Sequence, residues 1–449
     1  MLAVIDRSLD AHYERMSNLY QVDDAPEYGP LVVPTGNSIA PVHRWFTVKE
    51  GYSAGLLERI KKDIDFKGNS ATVADAFTGA GTTLISTLLD ESLTKRHAVG
   101  TEINPFLHFV ASTKVNSVLK PPRDLERLLD FVADAPLGGR LHAPPALHAF
   151  HQTEYWPGTS LADLTQLRTH LASWRGSAGT KALGLLALLA AAEPASALRR
   201  DGRALRYVPD KPRVSVRSLM LRTLENMMAD IEHVKQVGGE LSATVALGDG
   251  RRLAEQRWKN ADLVLCSPPY PNNIDYTEVY KLEGWLYGAY ADEKAFRAQR
   301  EATMRSHPSI TFPDRAVASA HRDAVDAFTT PILDAVPNDR YQRARQQMIA
   351  GYCADLIEFL DGARATVRKG GNVVVVVGNS AHGPADEAFV VAADLAVAEL
   401  GRAVGLECTR IAVARYPRRR KVDHPLLRES VVFLKRPNAA RAQTGASQR

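Results

Sequence analysis

The sequence predicts an α/β protein: a doubly wound, mostly parallel sheet of seven strands, interrupted by two mainly helical insertions. Three observations predict it. Short apolar β-type runs alternate with helical stretches along most of the chain. Two of those runs, Thr72–Phe77 and Ala261–Cys266, end in turns of unusual composition. The final runs, Arg410–Ala414 and Ser430–Leu434, follow one another with no helix between them, which makes the closing pair antiparallel.

Residues 1–40 read as an N-terminal extension. The segment Pro41-Val-His-Arg-Trp45-Phe46-Thr-Val-Lys49-Glu50-Gly-Tyr52-Ser53 mixes aromatic and charged residues just ahead of the first strand. Thr72–Phe77 is expected to be a buried parallel strand. Thr78-Gly79-Ala80-Gly81-Thr82-Thr83 follows as a turn, then a helix over Leu84–Leu93. Glycines there let the backbone approach a ligand, and the helix start offers free N–H groups. A second strand, His97–Glu102, ends in a carboxylate about 20 residues after the glycines, where dinucleotide-type folds carry a ribose-binding acid. The glycines do not complete Gly-x-Gly-x-x-Gly, so a nicotinamide dinucleotide is the poorer match. Residues 41–117 thus form the cofactor-binding part of the core.

The first insertion, 118–241, is too long for a connecting loop. It holds the turn Pro157-Gly158-Thr159, an Ala/Leu-rich helix around Ala182–Ala192 and an Arg-rich segment, Leu198–Tyr207. The core returns at 242–291 with Val245-Ala-Leu-Gly-Asp249, a strand ending in an acid. Ala261–Cys266 then runs into Ser267-Pro268-Pro269-Tyr270. Prolines fix φ and donate no backbone hydrogen bond, so this turn is stiff and its carbonyls stay free to accept. A polar acceptor beside an aromatic face suits an exocyclic amino group on a flat base. Asn272 and Asn273 follow, where a loop reaches the base or its neighbours; ordinary turn chemistry is the alternative. The second insertion, 292–338, is helical with an interruption at Ser306-His-Pro-Ser309. The rest of the core, 339–436, holds a helix over Tyr341–Val367, a Gly370-Gly371 turn into a buried strand ending at Gly378, and a helix over Ala388–Val404. The tail, 437–449, is polar, rich in small residues and expected to be disordered.

Composition narrows the function classes. The 449 residues carry a formal charge of +5, compatible with a polyanionic partner. Arg199, Arg200 and Arg203, and later Arg418 and Arg419, stand among aromatics as phosphate-contacting loops do; solvated charged loops are the alternative. Three cysteines show neither disulfide nor zinc spacing, and no metal is expected. None of them follows a proline, which removes the Pro-Cys nucleophile of C5-cytosine chemistry. The longest apolar stretch, Ala182–Ala192, is too short for a bilayer, and the N-terminus lacks a signal-type apolar region. A cytoplasmic protein is expected, with no membrane partner.

Asp75-Ala-Phe77-Thr78-Gly79-Ala-Gly81-Thr82-Thr resembles the S-adenosylmethionine motif of DNA methyltransferases. Ser267-Pro268-Pro269-Tyr270 resembles the catalytic motif of their amino-group class, in the version usual for N4-cytosine enzymes. The resemblance implies a Rossmann-like methyltransferase sheet and leaves both insertions unassigned. It implies that Asp75, Phe77, Thr78, Gly79, Gly81 and Thr82 line the methionine end of the cofactor. Glu102 would take the ribose hydroxyls and Asp249 the adenine amino group; helix capping is the alternative for both acids. The segment carrying Phe46 and Ser53 would fold over the methionine moiety. Ser267 Oγ and the Pro268 carbonyl would accept the two N–H bonds of the amine, with Tyr270 stacked on the flipped base. The implied partners are double-stranded DNA, which implies nucleoid association, and a restriction or defence protein. N4-cytosine leads N6-adenine, because adenine enzymes more often carry Asp or Asn where Ser267 stands. RNA base methylation and a catalytically silent nucleic-acid-binding subunit are the alternatives. The cofactor motif precedes the catalytic one, and the large insertion falls ahead of the Asp249 strand, which makes it a candidate for target recognition.

Overall fold

The structure is a computed structural model that describes residues 7–138, 150, 153–201, 205–313, 317–384, 387–417 and 424–438. Its strands are β1 (Val22–Asp24), β2 (Ser70–Asp75), β3 (Lys95–Glu102), β4 (Leu198–Arg200), β5 (Leu205–Tyr207), β6 (Glu240–Leu247), β7 (Ala261–Cys266), β8 (Val367–Gly378), β9 (Ser380–His382), β10 (Phe389–Val391), β11 (Glu407–Arg415) and β12 (Glu429–Lys435). Eight of them form the main sheet, in the order β1-β11-β12-β8-β7-β2-β3-β6. Only β12 runs against its neighbours, β11 and β8. The expected doubly wound, mostly parallel sheet is present.

The sheet has one strand more than expected. β1, from the supposed N-terminal extension, lies parallel to β11 with Val22 opposite Ile411. Its sequence, Val-Asp-Asp, carries no alternation that would mark a strand. Tertiary contacts hold it: Arg410 pairs with Asp23 at 2.6 Å, and Ala25 donates to the Val413 carbonyl at 2.8 Å.

β8 shows why the sheet is covered on both faces. Val373, Val375 and Val377 pack with Leu356, Phe359 and Leu360 of helix Gln342–Thr366. Val374 and Val376 pack on the opposite side with Leu57 and Ile60 of helix Leu56–Asp63. A continuous apolar run is what a strand buried on both faces requires.

Several expected boundaries move. The helix after the glycine turn is Thr82–Leu88, and residues 89–94 form the return to β3. Phe389–Val391 pairs as β10 with β9, so the following helix is Ala393–Ala403. Of the tail, 437 and 438 are described and the remainder lies outside the described residues.

The first insertion contributes helices Leu125–Ala133, Ser160–Ala172, Ala178–Ala195 and Val216–Val234 and the β4–β5 hairpin. Its Ala/Leu-rich helix is apolar all round and correspondingly buried. It shares one apolar cluster with Leu84 and Phe106 of the core. Asp230, on its last helix, accepts from Val42 N at 2.9 Å, Trp45 Nε1 at 2.8 Å and Arg44 at 2.5 Å. The segment ahead of the first core strand is thereby fastened to the insertion. The second insertion supplies helices Glu293–Ala302 and Arg322–Asp334. Among the described residues, no helix is long and apolar enough to cross a membrane.

The chain runs from β2 outward to β3 and β6, then returns across β2 to β7 and β8. The strand order therefore reverses between β2 and β7, and ligands of open α/β sheets bind outside the carboxyl ends at such a point. Those ends carry Asp75 and Ser267.

Candidate functional site

Asp75 closes β2 and is 1 % exposed. It accepts from Phe77 N at 2.9 Å, Thr83 Oγ1 at 2.6 Å and Tyr52 Oη at 3.3 Å. Burial pushes its carboxyl up to about 6 against these donors. The chain then turns through Gly79 at φ +53° and Gly81 at φ +90°. A Cβ on Gly81 would stand 3.4 Å from Ala111, so the glycine also lets two helices approach.

Glu102 closes β3. One carboxylate oxygen accepts from Gly79 N and the other from Asn104 N, both at 2.8 Å. Burial pushes this carboxyl up to about 7, against those two N–H groups. Asn104, not Glu102, caps the following helix, Pro105–Leu119. Asp249 does cap its 3₁₀ turn, accepting from Arg251 N at 3.0 Å. It also pairs with the Arg251 guanidinium at 2.6 Å, which reaches Asp355 at 3.0 Å. Capping and facing the cavity coexist in this residue.

Ser267-Pro268-Pro269-Tyr270 leaves β7 and is held from several sides. Asn272 N donates to the Ser306 carbonyl at 2.9 Å, and His382 Nε2 lies 2.8 Å from the Pro271 carbonyl. Tyr270 Oη donates to Glu429 at 2.8 Å, with Ser267 Oγ 3.5 Å away.

One cavity, about 1120 Å³ counting its open mouth, joins the two halves. One side is formed by Asp75, Phe77–Ala80, Thr82, Glu102 and Asp249, the other by Ser267, Pro268 and Pro269. Tyr276 and Tyr280 add aromatic faces, and Thr303, Met304, Ser306 and His307 arrive from the second insertion. His307 is 2 % exposed; burial holds its imidazole below its usual pKa, against the pull of Asp275.

The structure corrects several sequence expectations. Phe46 and Ser53 do not reach the cavity; Val48, Glu50, Gly51 and Tyr52 line it instead. The Phe46 ring packs against both Tyr280 and Phe106, while Ser53 Oγ donates to the Thr35 carbonyl at 2.8 Å. Gly81 shapes the turn without facing the cavity. Tyr270 is not among the cavity-lining residues, because its hydroxyl is drawn back to Glu429. Asn272 is buried, and its side chain accepts from Ile274 N at 2.7 Å, which is turn chemistry; Asn273 is exposed. Arg200 faces inward, paired with buried Glu283 and 5.0 Å from the Tyr280 ring centre, so it is no phosphate contact. Arg199 is exposed. Arg203, Arg418 and Arg419 lie outside the described residues. Among the described residues no group of three or more His, Cys, Asp or Glu is placed to hold a metal ion.

The residues that sequence reasoning missed come from outside the motifs. Glu50 and Tyr52 lay in a segment already singled out, where Tyr280 Oη donates to Glu50 at 2.6 Å. Ser306 and His307 were visible only as a break in helical pattern.

No family model matches the chain. Over 311 residues, 61% of the chain, it is 24% identical to Type II methyltransferase M.BsoBI of Geobacillus stearothermophilus. The chain spans 58% of that protein's length. Among solved structures, the rRNA methyltransferase AviRa from Streptomyces viridochromogenes aligns with a TM-score of 0.30 and 11% identity, covering 88% of this chain and 84% of that one. A second structure of the same enzyme gives the same TM-score and identity, with coverages of 92% and 97%.

Proposed function

We propose that this chain is an S-adenosylmethionine-dependent methyltransferase that acts on the exocyclic amine of a flipped base in double-stranded DNA, with N4 of cytosine as the target. The observation that carries the reading is the single cavity bounded by the glycine turn and its acids on one side and by Ser267-Pro268-Pro269 on the other. Similarity to M.BsoBI, a Type II methyltransferase, supports the same reaction class; a restriction or defence partner is part of the proposal.

The donor set fits the cofactor. Two buried carboxylates, Asp75 and Glu102, are penalised in ionised form and gain from added hydrogen-bond donors. Each Glu102 oxygen keeps a lone pair beyond its backbone bond, enough for two ribose hydroxyls. Gly79 leaves the turn open, with only the Phe77 carbonyl near where a Cβ would stand. When bound, S-adenosylmethionine supplies a methyl group on positively charged sulfur.

The chain's own residues do the rest. Ser267 Oγ and the Pro268 carbonyl accept the two N–H bonds, which turns the nitrogen lone pair out of conjugation with the ring. Holding the amine in that shape removes much of the barrier. Tyr276 and Tyr280 offer faces for the base and shield the site from water. Neither acceptor is a strong base, so the amine loses its proton after it has become cationic.

Nucleoside mass spectrometry tests the reading, on DNA incubated with the protein and isotope-labelled S-adenosylmethionine. Label in N4-methylcytosine is the expected result. Label in N6-methyladenine overturns the inference from Ser267, and label in RNA alone overturns the substrate.

A further inference from the structure

Serine is ambivalent: its hydroxyl both donates and accepts. An amino group, with two N–H bonds to place, needs Ser267 as an acceptor only. Something must therefore turn the serine proton away from the cavity.

We propose that Glu429 does this, acting through Tyr270. The inference rests on the methyl-transfer reading above and assigns it a positioning residue on β12, outside both motifs. Glu429 is 5 % exposed, and one of its oxygens takes Arg415 Nε at 2.5 Å. A carboxylate that pairs with an arginine side chain serves its other neighbours as an acceptor. The hydrogen bond of 2.8 Å between Tyr270 Oη and Glu429 thus has one polarity: the tyrosine donates. With that proton committed, the tyrosine oxygen facing Ser267 only accepts. Ser267 Oγ stands 3.5 Å from it as the donor. The serine proton points to Tyr270, and the serine lone pairs are left for the cavity. Polarity set by a carboxylate passes along the chain, residue by residue.

The tyrosine ring is fixed for this task. It packs against β8, where a Cβ on Gly378 would come within 2.8 Å of Tyr270 Cε2. Glycine there makes room for the ring to reach Glu429. Burial and the Glu429 charge both raise the phenol pKa, so Tyr270 keeps its proton.

Glu429→Gln reverses the polarity. Arg415 demands an acceptor, so the glutamine carbonyl turns to it and the amide N–H₂ faces Tyr270. Tyr270 must then donate to Ser267, whose own proton is driven toward the amine. Tyr270→Phe only cuts the chain and leaves the serine proton free to rotate.

The test is steady-state methyl transfer from labelled S-adenosylmethionine to unmodified genomic DNA by the full chain and three variants. Glu429→Gln is expected to lower kcat about 100-fold and Tyr270→Phe about tenfold, with KM values held within about threefold. The double variant is expected to regain the rate of Tyr270→Phe, because the reversed polarity no longer reaches Ser267. Losses that multiply in the double variant, or a Glu429→Gln enzyme with normal kcat, overturn the proposal. Proton NMR gives a readout free of turnover. The wild-type protein should show a downfield, slowly exchanging hydroxyl resonance that Tyr270→Phe removes, and its absence overturns the chain. A wild-type protein that methylates no DNA defeats the functional reading instead, and the resonance still decides the Glu429 contact.

Discussion

The Glu102 carboxylate accepts the backbone N–H of Gly79 at 2.8 Å, so the acid closing β3 and the turn leaving β2 are set by one contact. The ligand-facing turn cannot shift without moving the acid. Because that acid is buried, its ionisation enters both stability and binding.

In the folded protein Glu102 binds its proton up to about pH 7, against an ordinary value of 4.5. Between those values the native state holds a proton that the unfolded chain has released. Stability from this group therefore falls as pH rises through that window. Cofactor binding runs the opposite way, since the ionised form accepts the ribose hydroxyls. Calorimetry with S-adenosylmethionine is expected to show affinity rising from pH 5 to 7 by at most about tenfold per unit. Glu102→Ala should bind weakly and without that rise.

Lys114 offers a second titration of opposite sign. Its amine is 2 % exposed, donates to the His43 and Phe46 carbonyls, and is pushed by burial down to about 7. From about pH 7 to 10.5 the unfolded chain holds a proton that the native state lacks, so this group's contribution to stability rises with pH. Urea titrations should show wild-type stability gaining up to about 1.4 kcal/mol per pH unit relative to Lys114→Met.

Gly79 and Gly250 both flank the cavity but differ in room. A Cβ on Gly79 meets only the Phe77 carbonyl, at 4.0 Å, so Gly79→Ala carries the strain of φ +53°, about 1–2 kcal/mol. A Cβ on Gly250 would overlap the Ala76 carbonyl oxygen, and the backbone must move. Thermal melts should rank Gly250→Ala as clearly the less stable, with cofactor binding lost.

Arg199 and Arg200 are neighbours in the sequence with opposite surroundings. Arg200→Ala leaves Glu283, 1 % exposed, as an unpaired buried charge and should cost about 3–5 kcal/mol in urea unfolding. Arg199→Ala removes an exposed side chain and should change stability by less than about 0.5 kcal/mol. Similar losses from both would contradict the inward placement of Arg200.

The parts of the fold written in local pattern were legible. The valine run of β8 is unambiguous because a strand covered on both faces has no polar alternation to keep. The turns at Gly79 and Ser267 were legible because few residue types satisfy their backbone. What escaped depends on contacts between distant segments. β1 is a strand only because β11 offers an unpaired edge. Arg200 reads like any basic loop residue until Glu283 and Tyr280 fold against it. Tyr270 was expected on the base because nothing local announces Glu429, whose number lies 159 further along. His307 gave no signal beyond interrupting a helix.

The register that sets Val22 against Ile411 joins two distant parts of the chain at one edge of the sheet. β1 lies far ahead of β11 in the chain, so the two pair only once the intervening elements and β11 exist. Until then the first strand has no template, and afterwards β11 has an exposed edge until β1 docks. An open edge is a site for pairing with another chain. Docking of β1 therefore covers the edge of β11 and leaves only a three-residue strand at that side of the sheet. Variants that weaken Asp23–Arg410 should reveal themselves in the yield of soluble protein before they do in any property of the purified molecule.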